Sequence, residues 1–404
     1  MKDTQIKKLI DAEKKRQKKV INLIASENYV SKDVLEALGS ELTNKYAEGY
    51  AGKRYYGGNE IVDKIERLAI ERALVLFGLD PQEWHANVQP LSGSPANLAV
   101  YVALVPPPKD GVPAKIMGMS LDHGGHLTHG HKVSATGKFW TQVPYGLDPV
   151  TEVLNYDQLL ETAIKEKPAI IVAGYTAYPR IIDWSKMRGI ADACGAILMV
   201  DMSHFAGLVA GGAYPSPFPF ADVVTTTTHK TLRGPRSGII FAKRDLRELD
   251  KKIDRAVFPG LQGGPHINQI AAVAVALKEA SAPSFKKYAA QVVKNAVVLA
   301  DELKSHGWRL ISGGTDSHLI LIDTWMNGSK NEKGAGAVPG KIASDALEAA
   351  GIIVNKNAIP FDTRPPVDPS GIRVGTAAET TRGKKEKDFR AIAKKIDQIL
   401  KKRG

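Results

Sequence analysis

The chain has 404 residues, enough for a large core and for two domains in one polypeptide. Its 43% hydrophobic and 24% charged content is that of an ordinary globular protein, which excludes a fibrous or disordered chain. The net charge of +12 favours anionic partners but gathers largely at the two ends and defines no nucleic-acid site, and a single cysteine excludes an internal disulfide and suits a reducing compartment.

The first stretch carries Lys7-Lys8, Lys14-Lys15-Arg16 and Lys18-Lys19 among sparse apolar residues, Leu9, Ile10, Val20 and Leu23. It reads as a solvated helix or arm. It lacks the apolar run of a signal peptide, and Asp3, Asp11 and Glu13 argue against a transit peptide. No window reaches the length needed to span a membrane, so a soluble, cytoplasmic protein is expected. Asn44 to Tyr50 with Arg54-Tyr55-Tyr56-Gly57-Gly58 is aromatic, Gly-rich and acid-bearing, the composition of either a ligand loop or a set of packing tyrosines. Helical periodicity runs from Ile61 to Phe77, with Gly78 as its stop.

Leu91-Ser92-Gly93-Ser94-Pro95-Ala96-Asn97 precedes an apolar helix, where backbone N–H groups and hydroxyls either hold a phosphate or simply cap the helix. Short apolar runs then alternate with helical stretches: Ala114 to Met119, Ala169 to Gly174, Ala196 to Asp201, Val223 to Thr228 and Gly238 to Ala242. This alternation predicts a mostly parallel sheet covered by helices on both faces, with ligands outside the carboxyl ends of its strands. Between the first two runs, Asp122 to His131 holds four histidines. It contains no cysteine and three glycines, so an imidazole lid over a planar ligand suits it better than a metal site. Cys194, near a strand start, is expected as a small buried side chain.

Asp201 and Lys230 both fall at carboxyl ends of strands, where they can converge on one crevice. A lysine so placed either reaches into solvent or, desolvated among cations, loses its proton and forms an imine. A buried carboxylate needs a partner such as a protonated pyridine nitrogen. Farther on, a helix is expected over Tyr288 to His306, a strand over Asp316 to Asp323, then a Gly-rich loop and a helix near Lys341 to Ala350. Residues 1–283 are therefore assigned to an N-terminal arm and a large domain, and 284–404 to a smaller α+β domain. In the latter, the strand Gly371-Ile372-Arg373-Val374-Gly375 presents an arginine that serves either a surface ion pair or a substrate carboxylate.

Taken together, these segments resemble the serine hydroxymethyltransferase family of pyridoxal phosphate enzymes, with the aspartate-aminotransferase-like fold (fold type I). The resemblance runs from Leu23-Ile24-Ala25-Ser26-Glu27-Asn28-Tyr29 to Gly371-Ile372-Arg373-Val374-Gly375-Thr376. It includes Leu42 to Tyr50, Gly124 to Gly130, Val200 to His204, Thr225 to Lys230 and Phe258 to Pro265. By that resemblance Lys230 would hold pyridoxal 5'-phosphate as an internal aldimine, Asp201 its pyridine nitrogen and His126 its ring face. His204 and Thr176 would lie near its phenolic oxygen, Thr227 would join Lys230, Asp201, His204 and His126 as a catalytic residue, His229 would bind the cofactor, and Ser92, Gly93 and Ser94 would surround its phosphate. Family members are homodimers with shared active sites, so Tyr46, Gly263 and Gly264 would reach the phosphate from a neighbouring subunit. Glu48 and Tyr56 would come from that neighbour too, with Glu48 as the proton-transfer group. Ser26 and Arg373 would bind the substrate carboxylate. Leu121, Gly125, Leu127 and Asn357 would contact the folate. The implied reaction moves the hydroxymethyl carbon of L-serine to tetrahydrofolate, with aldol cleavage of β-hydroxy amino acids as a side activity. Asp122-His123 and the loop Phe361 to Asp368 depart from the common pattern, which leaves open folate or a modified pterin.

Overall fold

A computed structural model describes residues 1–325 and 337–402. The chain divides into two compact units, Asn28–Gln291 and Met1–Glu27 with Val292–Gly404.

The larger unit is built on a seven-stranded sheet of β1 (Trp84–Asn87), β2 (Lys115–Met119), β3 (Thr141–Tyr145), β4 (Ile170–Gly174), β5 (Ile197–Asp201), β6 (Val223–Thr227) and β7 (Gly238–Lys243). The strands lie in the order β1-β7-β6-β5-β4-β2-β3. Those from β6 to β3 pair in parallel, and β7 runs antiparallel to both neighbours. The expected α/β class and mostly parallel sheet are therefore present. Every residue of β4 and β6 is buried, which is why their sequences are continuous apolar and β-branched runs rather than alternating ones. On one face, Ile116, Val172, Met199, Val223 and Ile240 pack with Ala96, Ala99 and Val100 of a helix α2 (Gly93–Leu104). The preceding helix α1 (Glu60–Leu76) ends as the periodicity predicts, with Gly78 at φ +67°. Helix α3 (Ile267–Ala280) is a third member of this unit, and α4 (Pro283–Ser305) carries the chain onward.

In the smaller unit β8 (Arg309–Leu310), β9 (Leu319–Asp323), β10 (Asn355–Asn357) and β11 (Gly371–Gly375) form an antiparallel sheet in the order β8-β9-β11-β10. Ile320, Ile322, Ile372 and Val374 pack with Ala343 and Leu347 of α5 (Gly340–Ala349) and Phe389, Ile392 and Ile396 of α6 (Glu386–Lys401). The Gly-rich loop expected after β9 lies outside the described residues. The N-terminal helix Thr4–Lys19 has no buried residue; Asp3 caps it, accepting from the N–H groups of Gln5 and Ile6.

Two expectations differ from the structure. The first residues belong to the smaller unit rather than to 1–283, because Ile21–Asn22 pairs in parallel with Ile352–Ile353 and Leu23 is fully buried beside Ile352 and Val374. Cys194 is half-buried at the last position of a helix, Trp184–Cys194, not sealed in the core.

Candidate active site

The carboxyl ends of β5 and β6 lie side by side, with Asp201 in register with Thr225. Past β6 the chain turns through Thr228 and His229 to Lys230, whose Nζ donates to Thr227 Oγ1 at 2.9 Å. The Lys230 carbonyl accepts from Asn28 Nδ2 at 2.9 Å, and the same amide nitrogen donates to Tyr288 Oη at 2.8 Å. At the neighbouring strand end, Ser203 N donates to Asp201 Oδ1 (3.0 Å), and Thr227 N donates to Ser203 Oγ (3.0 Å). A continuous run Asp201–Ser203–Thr227–Lys230 thus joins the acid to the amine.

Burial alone would raise the Asp201 carboxyl, but a hydrogen bond from His129 and the nearby imidazoles overcome it and hold the group well below the usual carboxylate range. Its Oδ2 lies 3.2 Å from His129 Nε2 and accepts from Asn97 Nδ2 at 2.8 Å. His126 caps the short turn Leu127–His129, with Nδ1 2.7 Å from Thr128 Oγ1. Burial first, and the neighbouring His129 second, lower this imidazole to about 4, with Asp201 and Lys230 both close enough to act on it. His229 is lowered to about 3 by burial and by the cations Lys230 and Arg236. Both imidazoles are therefore neutral at pH 7.

His204 is buried just beyond β5, its carbonyl accepting from Thr231 Oγ1 at 3.0 Å. Thr176, just past β4, donates through Oγ1 to Gly125 O at 2.8 Å and through N to Gly124 O. Gly124 sits at φ +103° and hands the chain from the turn Leu121–His123 to His126. The departure at Asp122-His123 has a structural use: His123 Nδ1 accepts from Leu147 N at 2.9 Å, tying this turn to the segment after β3.

Ser92, Gly93 and Ser94 open helix α2, and the Ser92 side chain makes no cap of its own. A Cβ on Gly93 would lie 2.6 Å from Thr227 Cγ2, so only glycine lets this N-terminus press against the strand that leads to the lysine. Beside it is a cavity of about 490 Å³, whose lining includes Ser94, His126, Leu127 and Thr128.

A second cluster gathers Tyr46, Glu48, Tyr56, Gly263 and Gly264. Tyr46 Oη donates to Glu48 Oε1 at 3.2 Å, and the Tyr46 and Tyr56 rings meet edge to face at 4.9 Å. A Cβ on Gly263 would lie 3.2 Å from Glu48 Oε1, and one on Gly264 would lie 3.4 Å from the Tyr46 ring. Tyr46 and Tyr56 remain 55% and 49% exposed, available to something outside the chain. In the smaller unit, Arg373 Nε donates to Asn355 Oδ1 at 3.1 Å, and desolvation lowers its guanidinium to about 10, still cationic at pH 7. Ser26 follows Ala25, whose Cα lies 2.5 Å from where a Gly375 side chain would stand. Asn357 lies on β10, its Oδ1 accepting from Asn355 Nδ2 at 3.3 Å. Among the described residues, no group of three or more His, Cys, Asp or Glu is arranged to hold a metal ion.

Sequence reasoning missed Asn97, His129 and Ser203, the side chains that surround Asp201. Asn97 had a signal, a lone amide in the apolar stretch Ala96 to Val105.

The model of the serine hydroxymethyltransferase family matches residues 1–396. A serine hydroxymethyltransferase of Desulfotalea psychrophila is 55% identical over 98% of this chain and 88% of its own length. That of Koribacter versatilis is 55% identical over 99% of the chain and 89% of its own, and serine hydroxymethyltransferase 1 of Pseudomonas aeruginosa 54% over 98% and 91%. The chain belongs to the serine hydroxymethyltransferase family. The residues present fit the cofactor of serine hydroxymethyltransferases, pyridoxal phosphate. An amine and an ionised acid stand at adjacent strand ends, a neutral imidazole lies near both, and a helix N-terminus opens against the same strand.

Proposed function

We propose that this protein transfers the hydroxymethyl carbon of L-serine to tetrahydrofolate, giving glycine and 5,10-methylenetetrahydrofolate, as a cytoplasmic homodimer. The observation that carries the proposal is the hydrogen-bonded run from Asp201 through Ser203 and Thr227 to Lys230. A basic strand-end lysine tethered to an ionised, buried acid has little use in a binding module.

Pyridoxal phosphate, when bound, supplies an aldehyde with which an amine condenses and a ring that withdraws electrons from the carbon attached to that amine. Ser92, Gly93 and Ser94 would hold its phosphate at the N-terminus of α2, where N–H groups favour an anion. Asp201 would keep the ring nitrogen protonated; His129, with His126, holds Asp201 ionised, and Asn97 adds a hydrogen bond. His126 would cover the ring face as a neutral imidazole, which adds no competing charge. His204 and Thr176 would flank the phenolic oxygen, Thr227, which accepts from Lys230 Nζ, would serve catalysis, and His229 would contact the cofactor. Lys230 would hold the cofactor through its amine, in the place that a substrate amine would take. Arg373 and Ser26 bind the serine carboxylate, which fixes the bond that breaks. The partner subunit's Tyr46, Gly263 and Gly264 complete the phosphate site, and the partner subunit's Glu48 and Tyr56 handle the hydroxyl proton. Leu121, Gly125, Leu127 and Asn357 receive the pterin. The half-exposed Tyr46–Glu48–Tyr56 cluster supports the shared site, and the single cysteine supports a reducing compartment. No described helix is long and apolar enough to cross a membrane.

Glycine formation from serine, measured with and without tetrahydrofolate, tests the reading. Strong stimulation by the pterin is expected. Equal rates in its presence and absence would leave a β-hydroxy amino acid aldolase on the same scaffold.

A further inference from the structure

Glu48 sits on an irregular loop, yet its proton-transfer role demands a fixed carboxylate. Two short strands, Gly49–Tyr50 and Lys53–Arg54, follow it and pair with each other. The Arg54 guanidinium folds back from this hairpin into the protein, its side chain only 4% exposed. Its Nη1 donates to the carbonyls of Ala47 (2.9 Å) and Gly49 (2.7 Å), the residues on either side of Glu48. Nε donates to Asp63 Oδ1 at 2.9 Å and Nη2 to Glu66 Oε2 at 2.7 Å, both on helix α1. One rigid fork thereby fastens the backbone around Glu48 to a helix that packs on α3.

A second fastening acts on the same place. Gln89 Nε2 donates to Gly49 O at 3.0 Å and lies 3.1 Å from Glu66 Oε1. The Gln89 carbonyl accepts from Gln262 Nε2 at 3.0 Å, and Gln262 precedes the two glycines that lie against Glu48 and Tyr46. The buried set Arg54, Glu66 and Gln89 therefore positions both halves of the cluster, the 46–48 side and the 263–264 side.

A purely structural ion pair would need no contact with the loop. Glu66 is 2% exposed, and desolvation raises its carboxyl even against the pull of Arg54, so the pair is a costly way to stabilise a fold. What it gives in return is geometry: a planar donor set that satisfies two backbone carbonyls and two carboxylates in fixed directions. Lysine in its place presents a point charge and cannot span all four acceptors.

The geometry points to Arg54 as the positioning residue for Glu48, acting not on its own subunit's Lys230 but on the site completed by the partner. This rests on the shared-site reading proposed above. Arg54→Lys is expected to lower kcat by about 10- to 100-fold, the scale of a displaced catalytic group. Glu66→Gln, which keeps the shape and removes the anchoring charge, is expected to lower it less.

Heterodimers carrying two different affinity tags decide the matter. Arg54→Lys paired with Lys230→Ala joins an intact lysine in one chain to an intact Glu48 region in the other, so about half of the wild-type activity per dimer should return. Glu66→Gln paired with Lys230→Ala should behave in the same way. Glu48→Gln with Lys230→Ala is the control for the shared site. If the control regains activity and both Arg54→Lys and Glu66→Gln pairings stay inactive, Arg54 serves its own subunit or only the fold, and the inference is overturned. Wild-type kcat in the Arg54→Lys homodimer overturns it as well. If the control itself stays inactive, the shared site is what fails.

Discussion

At Asp201 a carboxylate keeps its charge where burial would remove it, and the imidazoles that prevent this, His129 foremost and then His126, come from a turn far away in the chain, while Asn97 of helix α2 adds a hydrogen bond. Sequence could point to the acid, because it ends an apolar strand, but not to its supporters, whose meeting depends on tertiary packing. The same division holds in the smaller unit. Arg373 was legible as a lone cation in an apolar strand, whereas its orienting neighbour Asn355 was not. A charge-assisted hydrogen bond contributes about 1.5–3 kcal/mol, so loss of a two-pronged carboxylate contact costs about 3–5 kcal/mol. Arg373→Ala should therefore weaken serine binding by roughly hundreds- to thousands-fold while leaving cofactor affinity almost unchanged. Titrations of the variant with serine and with pyridoxal phosphate separate the two. Equal loss of both would make Arg373 a folding residue.

At the scale of elements, the buried parallel strands were readable because two covered faces demand unbroken apolar or β-branched runs. In the seven-stranded sheet, the strands that escaped notice are β1 and β3, at its two edges. β1 reads Trp-His-Ala-Asn, with no β-branched residue, and β3 carries Pro144, which an edge tolerates and a central strand would not. The antiparallel sense of β7 was implicit in the short connection 228–237, too short to hold the crossover helix that a parallel return needs. The N-terminal pairing Ile21–Asn22 with Ile352–Ile353 left no pattern at all, since two residues establish no period. Helix α2 was legible, but not how closely its first turn meets β6. Gly93→Ala tests that closeness. The added methyl must displace either Thr227 or the helix start, at a cost of about 1–3 kcal/mol in stability. Cofactor affinity should fall by roughly tenfold or more as the N–H groups shift. Fluorescence titration with pyridoxal phosphate and thermal unfolding of the cofactor-free chain read both effects; unchanged affinity would mean the helix start contributes nothing to the anion site.

For the whole molecule, the neutral imidazoles make stability depend on pH. His126, lowered to about 4, and His229, lowered to about 3, bind protons less readily in the fold than at the unfolded value near 6.5. The unfolded chain then holds more protons below pH 6.5, so their contribution is complete above that value and is lost as pH falls towards 4 and 3. His123, also lowered by burial, acts in the same sense. Asp201, held below the usual carboxylate range, adds its own loss only at more acidic pH. From pH 7 to 4.5 each of the two site histidines should remove about 2 kcal/mol from the cofactor-free protein. Denaturant midpoints across this range measure the total, and His126→Gln isolates one share: the variant should lose about 2 kcal/mol less than the wild type over the same interval. Parallel pH curves for the two proteins would show that His126 takes up its proton as easily in the fold as outside it, and would remove the case for a neutral imidazole on the ring face.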